Sequence, residues 1–189
     1  AEEATRIQLE VLKYPIGLQD QYVAAYGGVN MYEIDQDGEV QVTSPFMKET
    51  LDKLESNLAL FFTGFKRDTN EVLRNSTNQD LDQIQDLAWS MKQALGRGDT
   101  DSYGAMLDEH WRLKKKRGAI MSNSHIDEWY TLARENGAIG GKIVGSGGGG
   151  FLLFYCRNQA DKQNLINTLP LLHQPFRFEY EGSKIIYGN

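Results

Sequence analysis

The sequence predicts an α+β fold built on an antiparallel sheet. Three features of the patterning carry that expectation. Apolar runs of strand length stand at 58–62 (Leu-Ala-Leu-Phe-Phe) and at 151–156 (Phe-Leu-Leu-Phe-Tyr-Cys), short enough for buried strands. Three helical segments follow one another between those two runs, so strands and helices do not alternate as a parallel sheet requires. Asp35-Gln36-Asp37-Gly38 separates two short strand-like stretches, 29–34 and 39–42, which is a hairpin signal.

Taken in order, residues 1–13 place Ala4, Ile7, Val11 and Leu12 at helical spacing, with Glu2 and Glu3 in the first turn. Pro15 ends that helix, because the residue before a proline is biased out of the α region. A short helix after Asp20 stops at Gly27-Gly28, and the hairpin follows. Pro45 marks a boundary. Residues 46–57 read as a helix, 58–62 as a buried strand, and Thr63-Gly64-Phe65-Lys66-Arg67-Asp68 as a polar turn.

The three helical segments come next. The first carries Leu81, Ile84, Leu87, Ala88, Met91 and Leu95 on one stripe and is ended by Gly96 and Gly98. The second has Tyr103, Met106, Leu107, His110, Trp111 and Lys114 on one face. Ser124 with Asp127 three residues later gives the third a capping-box start, and Gly137 closes it. Beyond strand 151–156, a helix runs from about Gln159 to Leu169 with Asn158 as its cap. Phe176, Phe178 and Tyr180 alternate as a strand, and Lys184 to Tyr187 completes the sheet.

A chain of 189 residues, 40% hydrophobic and 24% charged, is long enough for one good core or for one domain and part of another. The net charge of -6 gives no overall attraction for nucleic acid or anionic membranes. The basic run Arg112, Lys114, Lys115, Lys116, Arg117 spreads around more than one helix face without an aromatic platform, and reads as a solvated helix C-terminus. Neither a membrane span of about 18 apolar residues nor a signal peptide is evident. One cysteine, Cys156, excludes an internal disulfide, ends an apolar run as a structural thiol, and fits a reducing, cytoplasmic setting. His110, His125 and His173 have no ligand spacing to one another or to Cys156, so no metal site is expected.

The densest chemical signal is residues 138–151, Ala-Ile-Gly-Gly-Lys-Ile-Val-Gly-Ser-Gly-Gly-Gly-Gly-Phe, half of them glycine. Such density marks positive-φ backbone or close approach, and successive N–H groups there can cradle an anion. A tight turn between a helix and the following strand is the plainer alternative. A P-loop and the dinucleotide fingerprint both fail, since those glycines follow a strand and open a helix, and here a strand follows the glycines.

Gly141-Lys142-Ile143-Val144-Gly145-Ser146-Gly147-Gly148-Gly149-Gly150 resembles the third, C-terminal motif of the GHMP small-molecule kinases, and the chain is similar to the sugar-kinase branch over nearly its whole length. The resemblance implies a ferredoxin-like GHMP kinase C-terminal domain with extra helices over residues 46–189. Residues 1–45 are then the tail of a separate N-terminal domain. It implies γ-phosphoryl transfer from ATP, with Mg²⁺, to a sugar or sugar phosphate. D-glycero-D-manno-heptose 7-phosphate, taken at its anomeric hydroxyl, is the leading substrate.

Asp20, in Gly17-Leu18-Gln19-Asp20-Gln21, is placed by spacing alone in a first helical turn, where the dipole favours an aspartate. The resemblance makes it the catalytic aspartate beside the acceptor hydroxyl. It also makes Gly145, Ser146, Gly147, Gly148 and Gly149 the substrate- or phosphate-binding residues, with Lys142 beside them. Arg67 has the planar donor fork suited to a phosphate or sugar; a solvated loop arginine explains it equally well.

The family's main phosphate loop, Pro-x-x-x-Gly-Leu-x-Ser-Ser-Ala, and its earlier Pro-Gly-Arg segment do not occur in this sequence. ATP and Mg²⁺ are therefore expected to be held mainly by residues absent from this chain. The chain is expected to be the C-terminal part of a longer kinase, inactive alone and prone to self-association through its first 45 residues. A non-catalytic binding or assembly module that keeps the fold without the ATP site is the competing expectation.

Overall fold

The computed structural model describes residues 1–14, 16–66 and 69–187. Pro15 and Arg67, both singled out above, lie outside the described residues. Two compact units are formed, one by Ala1–Phe46 together with the segment from Arg177, the other by Met47–Phe176.

In the first unit, helix α1 (Glu2–Arg6) continues into a wider π-helical turn over Ile7–Val11. Helix α2 (Gln19–Tyr26) ends at Gly27, whose φ of 64° reverses the chain. Strands β1 (Met31–Ile34) and β2 (Val40–Thr43) pair antiparallel, Ile34 opposite Val40. The Asp35 side chain builds the turn by accepting from the N–H groups of Asp37 and Glu39, each at 2.9 Å. The segment from Arg177 joins this unit through Gly28 N–H to Glu179 O (2.5 Å) and Ser183 N–H to Ala25 O (3.2 Å).

The second unit holds a four-stranded sheet of β3 (Leu58–Phe62), β4 (Ala138–Ile143), β5 (Phe151–Cys156) and β6 (Leu172–His173) in the order β4-β5-β3-β6. Every neighbouring pair is antiparallel. Connecting β3 to β4 by helices, β4 to β5 by the glycine loop and β5 to β6 by α8 (Gln159–Thr168) gives the split βαβ arrangement of ferredoxin-like domains. Helices α3 (Lys48–Asn57), α4 (Thr69–Arg74), α5 (Leu81–Gly96), α6 (Thr100–Lys116) and α7 (Ser124–Glu135) complete it. Phe61, Phe154, Leu152, Ile143, Trp111 and Ile126 are fully buried between the sheet and its helices.

The structure differs from the sequence reading in four places. The glycine stretch does not follow a helix directly; Ala138–Ile143 is a strand, and the loop joins two antiparallel strands. Helix α4 was not anticipated. The cap of α7 is Asn123, whose side chain accepts from Ile126 N–H at 3.0 Å, while Ser124 is already helical and Asp127 bonds Ser122 and Lys115. Finally, no strand forms over 176–180 or 184–187. The edge of β3 pairs instead with Leu172 and His173. Ile185 and Ile186 are 90% and 95% exposed, so the alternating pattern there has no sheet edge to face.

Candidate functional site

The glycine loop spans residues 144–150 and is a packed structure rather than a slack one. Val144 N–H donates to Phe151 O at 2.9 Å and closes its base. Gly148 N–H donates to Met121 O (2.8 Å) and Gly150 N–H to Phe65 O (3.0 Å). The Thr63 hydroxyl and the Thr63 N–H both reach Gly150 O at 2.9 Å. The predicted polar turn at Thr63-Gly64 is therefore brought onto the end of the glycine loop. At Gly148 φ is 74° and a Cβ would stand 2.8 Å from Ile120 O; at Gly149 a Cβ would stand 2.8 Å from Phe65 O. Backbone lies on backbone at both positions, and only glycine permits that. Gly145 is exposed and Ser146 half-buried, and these two form the surface of the loop's first turn.

Lys142 is not in the loop. It sits on β4 opposite Leu153, and strand alternation puts it on the same face as Gly140, toward α6. Half-buried there, its ammonium is pushed down to about 8 by burial. His110 on α6 is its neighbour. Burial, then the charges of Lys142, Lys114 and Arg117, hold His110 down at about 3, so the imidazole is neutral. Its Nδ1 is buried without a hydrogen-bond partner among the described residues.

The basic run on α6 is not simply a solvated helix end. Lys114 is 7% exposed, and its Nζ donates to the carbonyl of Gly145, the first glycine of the loop. Lys115 meets Asp127 at 3.1 Å, Lys116 meets Asp80 at 3.4 Å, Arg112 meets Glu109 at 2.9 Å, and Arg117 Nε donates to Thr77 O at 2.9 Å. Each of these side chains is thus engaged within the fold, three by carboxylates and two by backbone carbonyls. Sequence reasoning missed Lys114 as a partner of the loop, and missed Met121 and Phe65, whose carbonyls accept from Gly148 and Gly150. The available signal was a lysine on the apolar stripe that includes Leu107 and Trp111.

Asp20 belongs to the first unit. It is exposed in the first turn of α2, next to Gln21, which is buried and bonded to the Gln8 amide. The structure thus brings Lys142 together with Gly145, Ser146, Gly147, Gly148 and Gly149 in one unit, and places Asp20 in the other. Cys156 is buried, and burial raises its thiol to about 12, so it is inert as a nucleophile. No three acidic, histidine or cysteine side chains converge as a metal cage among the described residues. A loop with exposed backbone at Gly145 and a lysine beneath it does fit an anionic group such as a phosphate. Among the described residues no helix is long and apolar enough to cross a membrane.

Comparison with known proteins agrees with this architecture. Residues 91–171 match the family model described as GHMP kinases C terminal. The D-glycero-alpha-D-manno-heptose 7-phosphate kinase of Campylobacter jejuni is 34% identical over 97% of this chain and 58% of its own length. A solved Campylobacter jejuni structure superposes with a TM-score of 0.74 at 34% identity, covering 96% of this chain and 54% of the other. The D-glycero-D-manno-heptose 1-phosphate kinase of Bacteroides thetaiotaomicron gives a TM-score of 0.69 at 28% identity, covering 98% and 55%. The chain spans little more than half the length of each of these relatives. By sequence and by fold, the chain carries a GHMP kinase C-terminal domain.

Proposed function

We propose that this chain serves an ATP-dependent kinase that phosphorylates a sugar or sugar phosphate, with D-glycero-D-manno-heptose 7-phosphate, at its anomeric hydroxyl, as the substrate. The observation that carries the reading is 34% identity to a heptose 7-phosphate kinase through 97% of the chain, a span that includes both Asp20 and the glycine loop. ATP supplies the phosphoryl group. Phosphoryl transfer depends mainly on positioning and charge neutralisation. In this reading Asp20 accepts or orients the proton of the attacking hydroxyl. The loop from Gly145 to Gly149 and Lys142 hold phosphate oxygens, while Mg²⁺ and most of the ATP cradle fall to residues outside this chain. Arg67, which lies outside the described residues, is kept as a phosphate or sugar contact on sequence grounds.

The domain assignment is part of the proposal: residues 1–45 as the end of an N-terminal domain, 46–189 as the C-terminal domain. The division of the chain after Phe46 supports the first boundary, whereas the segment from Arg177 groups with the first unit. Val11, Leu12 and Tyr26 of that unit are exposed, which supports self-association of the chain when isolated. A single buried thiol supports a cytoplasmic setting.

A coupled ADP-release assay tests the reading. The full gene product is expected to release ADP in the presence of heptose 7-phosphate and to lose that activity on Asp20→Asn. The 189-residue chain alone is expected to release none. Absence of sugar-dependent ADP release from the full gene product across a panel of heptoses, fucose and galactose overturns the proposal.

A further inference from the structure

We propose that Lys114 is a positioning residue for the glycine loop: by holding the Gly145 carbonyl toward α6 it sets the plane of the Gly145–Ser146 peptide and so the direction in which the loop presents its backbone to an anion. The tether itself stands on geometry; its consequence for a ligand rests on the reading of the loop as a phosphate site.

Lys114 belongs to the last turn of α6, on the stripe that also buries Leu107 and Trp111. An apolar side chain would serve packing there, and a buried ammonium needs a compensating acceptor. Its acceptor is the carbonyl of Gly145, 31 residues further along the chain. Gly145 has φ of 76° and is the point where the backbone leaves β4 for the loop. A trans peptide is planar, with its C=O and N–H pointing in opposite directions. Drawing the Gly145 carbonyl toward α6 therefore turns the Ser146 N–H away from it.

The far side of the loop is fixed by other means, Gly148 N–H on Met121 O and Gly150 N–H on Phe65 O. Lys114 acts on the near side. It also leaves a positive charge beneath the loop. Burial first, and then the charges of Lys142, Lys114 and Arg117, hold the nearby His110 neutral.

Two readouts on the 189-residue chain test this: amide hydrogen exchange, and the dissociation constant for inorganic tripolyphosphate. Lys114→Met is expected to speed exchange at Ser146 and Gly147 about tenfold while Leu152 and Phe154 of β5 keep their protection. It is also expected to weaken tripolyphosphate binding about tenfold. Lys114→Arg, which keeps a charged donor, is expected to restore both to within about threefold. Lys116→Met removes the same charge from the exposed side of α6 and is expected to leave loop exchange unchanged. Should Lys114→Met lose β5 protection, Lys114→Gln is measured in its place.

Unchanged loop exchange in a folded Lys114 variant overturns the inference. So does equal weakening of binding by Lys114→Met and Lys116→Met, which would make Lys114 a general charge. Failure of the unsubstituted chain to bind tripolyphosphate, with the exchange effect present, leaves the tether standing and removes the phosphate reading of the loop.

Discussion

Gly140 on β4 and Gly104 on α6 meet backbone to backbone: a Cβ added to Gly140 would lie 1.9 Å from the Gly104 carbonyl oxygen. Gly104 is pressed from its other side by the Tyr155 ring, 2.3 Å from where its own Cβ would be. This double approach lets α6 lie close against the sheet. It brings His110 beside Lys142 and carries Lys114 to the mouth of the glycine loop. The glycine content before the loop is thus a helix-packing device, distinct from the loop that follows.

Gly140→Ala is expected to destabilise the second unit by about 3 kcal/mol, because the clash is with main-chain atoms that have no rotamer to change. Urea unfolding followed by tryptophan fluorescence measures it. A loss under about 1 kcal/mol would mean that α6 shifts away from β4 at little cost.

Acid sensitivity follows from His110. Its native pKa is about 3 against an ordinary value of 6.5. On acidification below about 6.5 the unfolded chain takes up a proton that the native chain refuses. Stability is then lost at up to about 1.4 kcal/mol per pH unit, a loss that levels off below the native value. Above 6.5 both states are neutral and the residue contributes no slope. His110→Gln is expected to flatten the stability profile between pH 4 and 6.5 relative to the parent chain. Parallel profiles would show that His110 is protonated in the native state.

Asn123 caps α7 through Ile126 N–H at 3.0 Å. Asn123→Ala is expected to cost about 1 kcal/mol, whereas Ser124→Ala is expected to change stability by less than half of that. Thermal melts of the two variants distinguish the caps. The reverse ranking would restore Ser124 as the start of the helix.

These cases show what the sequence makes legible. Leu58–Phe62 and Phe151–Cys156 are readable as strands because the apolar runs are continuous and of strand length, and Ala59, Phe61, Leu152, Phe154 and Cys156 bury one face of them completely. Helix α5 and the cap of α8 at Asn158, which accepts from Asp161 N–H at 2.9 Å, are readable from local spacing alone, although of the stripe read on α5 only Leu95 is buried and Leu81 and Ala88 are exposed. Strand β4 is hidden because Gly140 and Gly141 lie where strand-forming side chains would announce it. Phe176, Phe178 and Tyr180 mislead in the opposite sense, since alternation describes side chains and not the presence of an unpaired edge. At the candidate site the motif names the loop. What braces it (Thr63, Phe65, Met121, Lys114) comes from three separate stretches, and no local pattern connects them.

Lys142 gives the remaining test, because its charge titrates inside an accessible range. Burial lowers it from 10.5 to about 8, so the ammonium is present at pH 7 and largely gone by pH 9. If it contributes to holding a phosphate, tripolyphosphate binding to the chain weakens as pH rises from 7 to 9, and Lys142→Met removes that dependence along with part of the affinity. The stability effect has a definite sign as well. Between about 8 and 10.5 the unfolded chain keeps a proton that the native chain has released, so the parent chain gains stability as pH rises through that window. Below 8 both states are charged, and the native state bears the full penalty of a half-buried ammonium. Lys142→Met is therefore expected to be more stable than the parent at pH 7 while binding tripolyphosphate less well. That pairing is the mark of a residue kept for binding rather than for the fold. A variant that is both less stable and unaltered in binding would assign Lys142 to packing against α6.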